Sequence, residues 1–316
     1  MAQTASAQIE LVDEFQRKRT PGWLNILTRL VKEKQLGFAG AIIVVIFILM
    51  AAATPLLAPG NPNALGNGSE RLLSPSLSHP LGTDNLARDV LSRVIHGARV
   101  SVTIGFIAVF ISTILSVSIG VISGYFGGWF DMLVQRIVDA FIAFPGLVFL
   151  VLVSAMFSQS QIPGLPKEGV LSTPVIVVIS TLGILGGVSQ SRVIRSAALS
   201  IKANTYIEAA RTIGASDWRI VMVHVLPNVM APVITLATLG LGGIILAEAT
   251  LSFLGIGVPP DVPTWGGMLN REARTFMVQG YWWLVAPGVA LSLVVFGFNV
   301  LGDALRDILD PRLRTG

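Results

Sequence analysis

Few side chains in this sequence are suited to covalent chemistry, and their spacing does not assemble any. His79, His96 and His224 are scattered, with no H-E-x-x-H or other paired-ligand spacing among them, so no protein metal site is expected. With 0 cysteines there is no thiolate ligand, no disulfide framework and no cysteine nucleophile. No G-x-x-x-x-G-K-S/T stretch occurs, so the chain is not expected to bind or hydrolyse ATP. No Ser–His or Asp–Asp constellation stands out for an intramembrane enzyme. What remains is a small set of charges embedded in apolar sequence. Glu248, in "ILAEATLSF", is a carboxylate within a long apolar run, where a charge is costly and marks a candidate site. Two readings stay open for it: a hydrogen bond to a neighbouring span or partner subunit, or a role in a pathway or gate. Arg136 and Asp139 stand at i, i+3 and read as an ion pair within one helix. Asp303, Arg306 and Asp307 form a similar helix-surface set.

The elements that would carry these residues follow from composition. Hydrophobic residues make up 53% of the 316, charged residues only 13%, and the mean hydropathy is +0.73. A soluble domain carries about 25% charged residues, so the chain reads as a membrane protein. A span needs about 20 apolar residues, and six stretches qualify: Leu36–Leu57 (ended by Pro59), from after Arg99 to about Gly124, Met132–Phe157, Thr173–Gln190, Val229–Phe253 and Tyr281–Leu301. The first begins too far from the terminus, and is too long, for a signal peptide. The organisation is then a tail over 1–35, a first span over 36–58, a loop over 59–98, a five-span core over 99–302 containing a polar insert at 191–228, and a tail over 303–316.

An even number of spans puts both termini on one side. The net charge of +4 and the basic residues Arg17, Lys18, Arg19, Arg29, Lys32 and Lys34 place that side in the cytoplasm. Arg192, Arg195, Lys202, Arg211 and Arg219 at the insert, and Arg306, Arg312 and Arg314 at the end, fall on the same side. The opposite loops are poorer, with Lys167 in one and Arg271 and Arg274 in another. One loop argues the other way: Arg71, Arg88, Arg93 and Arg99 precede span two, beside Glu70, Asp84 and Asp89, so the inverted topology stays open. Asp89–His96 there reads as a short amphipathic helix lying at the interface. No basic stripe with interleaved aromatics appears, so nucleic acid is not an expected partner. "PGNPNALGNG" (59–68) and "GIGVPPDVPTWGG" (255–267) are ordered-turn signals.

The polar insert contains "TYIEAARTIGASDWRIVMVHVLPN", Thr205 to Asn228. Thr205 with Glu208 three residues later fits a capping box, starting a helix at Tyr206. Tyr206, Ala209, Ala210 and Ile213 then share one apolar face. Gly214 suits a left-handed stop, and Ser216 a cap for a second helix carrying Trp218 and Ile220. Pro227 would stop or kink that helix at the membrane. A helix this short is marginal alone, so its face must be buried. Packing on the chain's own loops or on headgroups, and docking in a groove of a cytoplasmic partner, are both compatible with the spacing.

"EAARTIGASDWRIVMVHVLP" resembles the E-A-A…G…L-P signature of the membrane subunits of ATP-binding-cassette importers, matched at Glu208, Ala209, Ala210, Gly214, Leu226 and Pro227. "HPLGTDNLARDVLSRVIHGARVS", "EATLSFLGIGVPPDVPTWGGML" and "LGDALRDILDPRLR" resemble blocks of the second permease type of the dipeptide, oligopeptide and nickel importers, and the likeness covers about Leu36 to Arg314. The resemblance implies an all-α membrane protein with six transmembrane helices, the type I importer permease fold, and a cytoplasmic coupling helix contacting an ATPase through Tyr206, Glu208, Ala209, Ala210, Ile213 and Gly214. It implies a plasma-membrane location and four further partners: a paralogous permease in a heterodimer, two ATPases holding ATP and Mg, and an extracytoplasmic solute-binding protein. Loops 255–279 and 158–172 would receive the binding protein, and Asp303, Arg306 and Asp307 would make a second ATPase contact. Peptides, nickel chelates, glutathione-like molecules and oligosaccharides are all carried by relatives. Two departures stand out: Ala87 replaces the glycine of a G-R-D motif, and Gly186, Gly187 and Val188 stand where many members have tryptophan. The rival reading is a secondary transporter or channel acting alone, which would need discontinuous spans with midplane ion ligands and has no use for the insert.

Overall fold

A computed structural model describes residues 22–58, 60–157, 160–166, 169–270, 275–276, 278 and 280–309. Pro59, Lys167, Arg271 and Arg274, the basic residues Arg17, Lys18 and Arg19, and the terminal Arg312 and Arg314 lie outside the described residues. Among the described residues all regular structure is helical, apart from one isolated bridge between Thr83 and Asp89. Five helices are long and apolar enough to cross a bilayer, and there are six candidates if the one bent helix pair is counted as a single span.

The chain enters through α1 (Gly22–Glu33) and α2 (Gln35–Ala52), followed by a one-turn α3 (Thr54–Leu57). Helix α4 spans Val90–Phe126, 37 residues capped at Asp89, whose side chain accepts from Ser92 N at 2.7 Å. At 1.5 Å per residue it is about 55 Å long, well beyond a hydrocarbon core of about 30 Å. Asp89–His96 is therefore not a separate interfacial helix. It forms the first turns of α4, with Val90, Val94 and Ile95 buried in the protein rather than facing headgroups. Two of the arginines before span two share one buried carboxylate. Asp84, 2% exposed, accepts from the Leu86 and Arg88 amides and from Arg88 Nε at 2.7 Å, with Arg93 Nε at 3.9 Å. Arg71 Nε donates to the Asn85 carbonyl at 2.7 Å.

The third expected span is broken. Helices α5 (Gly128–Ala143) and α6 (Gly146–Phe157) meet at 81°. The cause is local: Phe144 precedes Pro145, whose ring disfavours helical backbone at the preceding residue, and Phe144 is extended (ψ 134°). Helix α7 (Thr173–Lys202) runs well past Gln190, so the polar insert begins later than the hydropathy implied. Its arginines hold α5. Arg195 Nε donates to Asp131 at 2.6 Å, and Arg192 pairs with Asp139. Asp139 is thus shared, and the Arg136 contact within α5 is the longer one at 3.5 Å.

Helices α4 and α7 pack along most of their lengths because their backbones approach closely. A Cβ on Gly187 would sit 2.7 Å from Leu115 Cβ and 2.9 Å from the Ser112 carbonyl. That crossing explains why Gly186–Val188 holds no tryptophan in this chain. After α7 come α8 (Thr205–Thr212) and α9 (Asp217–Ile220), then one π-helical stretch, Val221–Val225, leading into α10 (Leu226–Phe253). Asp217–Phe253 is one continuous helical run, so Pro227 does not stop it, and the helix passes Pro227 straight out of the π-helical turn. Proline in the first turn of α10 lacks only an amide that the wider π turn leaves without a standard partner. A short α11 (Trp265–Met268) and the last span, α12 (Trp282–Leu309), complete the fold.

The main core joins α2, α4, α7, α10 and α12, with Trp265 fully buried, stacked edge-on against Phe47 and donating to the Val94 carbonyl at 3.1 Å. Lys34 Nζ bonds Asp307 at 2.5 Å, so the starts of α2 and the end of α12 lie together. The outer faces of α2, α5, α6 and α12 expose large apolar side chains such as Ile46, Leu133, Leu152 and Phe296, the surface of a protein solvated by lipid or covered by a membrane partner.

Candidate docking helix and its anchorage

Helix α8 is started by Asn204, not by Thr205. Asn204 is extended (ψ 143°) and its carbonyl accepts the Ile207 amide at 3.0 Å. No capping box forms, and Asn204 Nδ2 instead donates back to the Ile201 carbonyl at 3.1 Å, joining α8 to the end of α7. The stop is as the residues require. Gly214 is left-handed (φ +85°), the Ala215 amide donates to the Ala210 carbonyl at 3.0 Å and the Gly214 amide to the Arg211 carbonyl at 2.9 Å, a full Schellman closure. Ser216 Oγ accepts the Arg219 amide and caps α9.

One side of this pair is anchored. Ile207, fully buried, and Ala210, 6% exposed, pack with Ile220, Val221 and Val225 against Val121 and Tyr125 of α4 and Ile194 and Ala198 of α7. Of the expected face, Ala210 therefore turns inward, while Tyr206, Ala209 and Ile213 stay exposed. The spacing placed Ala210 on the stripe's edge, and Ile207 on its flank is the larger apolar group, so the chain buries that flank. The exposed side carries Ile213 at 86% and Trp218 at 71%, with Tyr206, Met222 and Val223, rimmed by Glu208, Arg211 and Arg219.

A polar cluster ties the pair to α4. Tyr125, 1% exposed in the last turn of α4, donates its hydroxyl to Asp217 Oδ1 at 2.5 Å. Arg211 and Lys202 lie over the same ring at 5.4 and 5.6 Å from its centroid. Interaction with Tyr125, and to a lesser degree with the Asp217 and Glu208 carboxylates, pushes the Arg211 guanidinium above its ordinary range, so it stays charged. Sequence reasoning missed Tyr125, and placed Trp218 on the second helix without counting it in the docking face. Tyr125 is one of 3 tyrosines, at a span end where an amphipathic ring belongs, and that was a usable signal. Trp218 lies beyond the Gly214 break, outside the single-helix window in which the face was counted.

Glu248 is far from this cluster, near the end of α10. It is fully buried, accepting from Ser252 Oγ at 2.7 Å and from Ser101 Oγ of α4 at 3.2 Å. The bond to Ser101 is the tie to a neighbouring span that one reading required. No group of three or more metal-ligating side chains occurs among the described residues.

Among the described residues the scaffold is helical, with at least five membrane-length helices and a short helix pair anchored beside them. Residues 116–315 match the family described as binding-protein-dependent transport system inner membrane component, and the chain belongs to that family. It is a transport permease rather than an enzyme. It is 38% identical over 293 residues, 93% of this chain and 91% of the other, to the dipeptide transport system permease protein DppC of Alkalihalophilus pseudofirmus. It is 40% identical over 296 residues, 94% of this chain and 92% of the other, to the glutathione transport system permease protein GsiD of Shigella flexneri. A solved structure of the MetNI methionine ABC transporter, in inward-facing form, shares the fold with a TM-score of 0.53 at 18% identity, covering 69% of this chain and 96% of that one.

Proposed function

We propose that this permease serves an ATP-driven importer of peptides or similarly small peptide-like solutes, and that α8–α9 is its contact with the ATPase. The named relatives move dipeptides and glutathione, which are short, charged and peptide-bonded. The chain forms half of the translocation path with a paralogous permease. Two ATPases, which hold ATP and Mg, sit below it, and a solute-binding protein delivers cargo at the opposite end. Both termini and α8 face the cytoplasm, the basic side.

The observation that carries the reading is the two-sided character of α8–α9. Ile207 and Ala210 fix it to the chain's own core, while Ile213 and Trp218 stand outward, largely exposed, with Tyr206 half-exposed beside His224. Such a patch rimmed by charge fits a groove on a protein partner. Glu208, Ala209 and Gly214 belong to this surface. Ala210 supports it from beneath.

The test is assembly. The complex encoded in the native gene neighbourhood is purified with wild-type chain and with Ile213→Asp or Trp218→Ala. Loss of ATPase co-purification by tenfold or more, with the permease pair intact, is the expected result. Full co-purification and full cargo-stimulated hydrolysis in both variants would overturn the docking reading.

A further inference from the structure

We infer that Tyr125 is a positioning residue that fixes the orientation of α8–α9 on α4 and carries displacement of that pair into the membrane-spanning helix. The inference rests on the reading of α8–α9 as the ATPase contact.

The apolar part of the anchorage cannot do this alone. Ile207, Ala210 and Ile220 rest on Val121, Ile194 and Ala198, and contacts of that kind are non-directional. A helix of 8 residues seated only by them can roll or slide. Tyr125 adds direction. Its hydroxyl meets Asp217 at 2.5 Å, and Asp217 is the first residue of the helical run that continues to Phe253. Its ring carries Arg211, from the last turn of α8, and Lys202, from the end of α7. One buried side chain therefore contacts three separate elements, and each contact has a defined geometry: a charge-assisted hydrogen bond along the phenol axis and cations over the ring.

The two helices it links are also joined at their other ends. Ser101 of α4 donates to Glu248 of α10 at 3.2 Å, and the run Asp217–Phe253 passes between the two bonds. A push received at α9 thus reaches α4 at two points rather than one. Tyrosine is required for this because phenylalanine would keep the ring, the packing and the cations while losing the bond to Asp217.

The experiment uses the assembled complex in liposomes. Since the chain has 0 cysteines, Ile122→Cys and Thr212→Cys can carry a spin-label pair on exposed positions of α4 and α8, with any cysteines of the partner subunits replaced. The distance distribution is measured without nucleotide and with ATP plus vanadate. Wild type is expected to give a narrow distribution whose centre holds between the two states, because the elements move together. Tyr125→Phe and Asp217→Asn are each expected to at least double its width and to lower cargo import per ATP by fivefold or more, with the ATPases still bound. A residue that served stability alone would lower yield or melting temperature and leave the distribution in folded complexes narrow. A width unchanged in either variant overturns the inference. Ile213→Asp separates the two ideas: retained ATPase binding there sinks the docking reading, while the label widths report on Tyr125 regardless.

Discussion

Ala87 is left-handed (φ +59°) and only 7% exposed, a backbone conformation that suits glycine better than alanine. A left-handed alanine costs about 1–2 kcal/mol. Glycine would relieve that but would lose about 0.4–1 kcal/mol through the unfolded chain and about 0.8 kcal/mol of methyl burial. The terms nearly cancel, so Ala87→Gly is expected to leave detergent melting within about 1 kcal/mol of wild type. Ala87→Val, with a branched Cβ in the same conformation, should fall by more than about 2 kcal/mol. Equal melting of the two variants would remove the backbone argument. Glu248 is a second case. Glu248→Gln keeps an acceptor for Ser252 or Ser101 and should retain at least half of transport. Glu248→Ala strands both hydroxyls and opens a cavity, for about 2–4 kcal/mol of lost stability. A folded Gln variant without transport would show that the carboxylate itself serves the path.

Elements fail where sequence gives no measure of what two of them do together. The apolar runs were readable because each is long and uninterrupted, yet the same hydropathy hid the extension of α7 to Lys202 and the first turns of α4 from Val90. Those segments are amphipathic and buried by protein, so they look like loop or interface. The bend at Phe144–Pro145 was legible in principle from Pro145 alone, but the apolar stretch on both sides masked it. Gly214 and Ser216 were read correctly because each acts through its own backbone, whereas the start of α8 was not, since Asn204 and Thr205 are both good caps and the choice depends on α7. Close packing gives the sharpest prediction at this scale. Gly187→Leu would drive a side chain into the Ser112 carbonyl and Leu115, and α4 and α7 would separate. The variant should insert in the membrane but fail to assemble or should aggregate on extraction, as seen by size-exclusion chromatography. A well-behaved complex would mean that the helices can part here without loss.

At the level of the whole molecule the fold class and the family blocks were legible, because membrane solvation forces long apolar helices and little else. The pairing of distant residues was not: Tyr125 with Asp217 and Ser101 with Glu248 lie 92 and 147 positions apart, and one sequence holds no record of their proximity. Orientation can be checked directly in this cysteine-free chain. Leu77→Cys, in the loop before α4, should react with an impermeant maleimide from outside the cell, and Ile213→Cys only after the membrane is opened. Reversed labelling would invert the topology. The Ser101–Glu248 bond also bears on how the chain is made. Synthesis runs from the N-terminus, so α4 is already in the bilayer when α10 leaves the ribosome. The carboxylate of α10 then finds its partner waiting, and never faces lipid alone. A fragment beginning after α4 would lack that reception, and its α10 would enter the membrane at a penalty of up to about 2.5–3.5 kcal/mol, the figure for an unmatched charge at a helix centre. The order of the helices along the chain is thus also a schedule for their insertion.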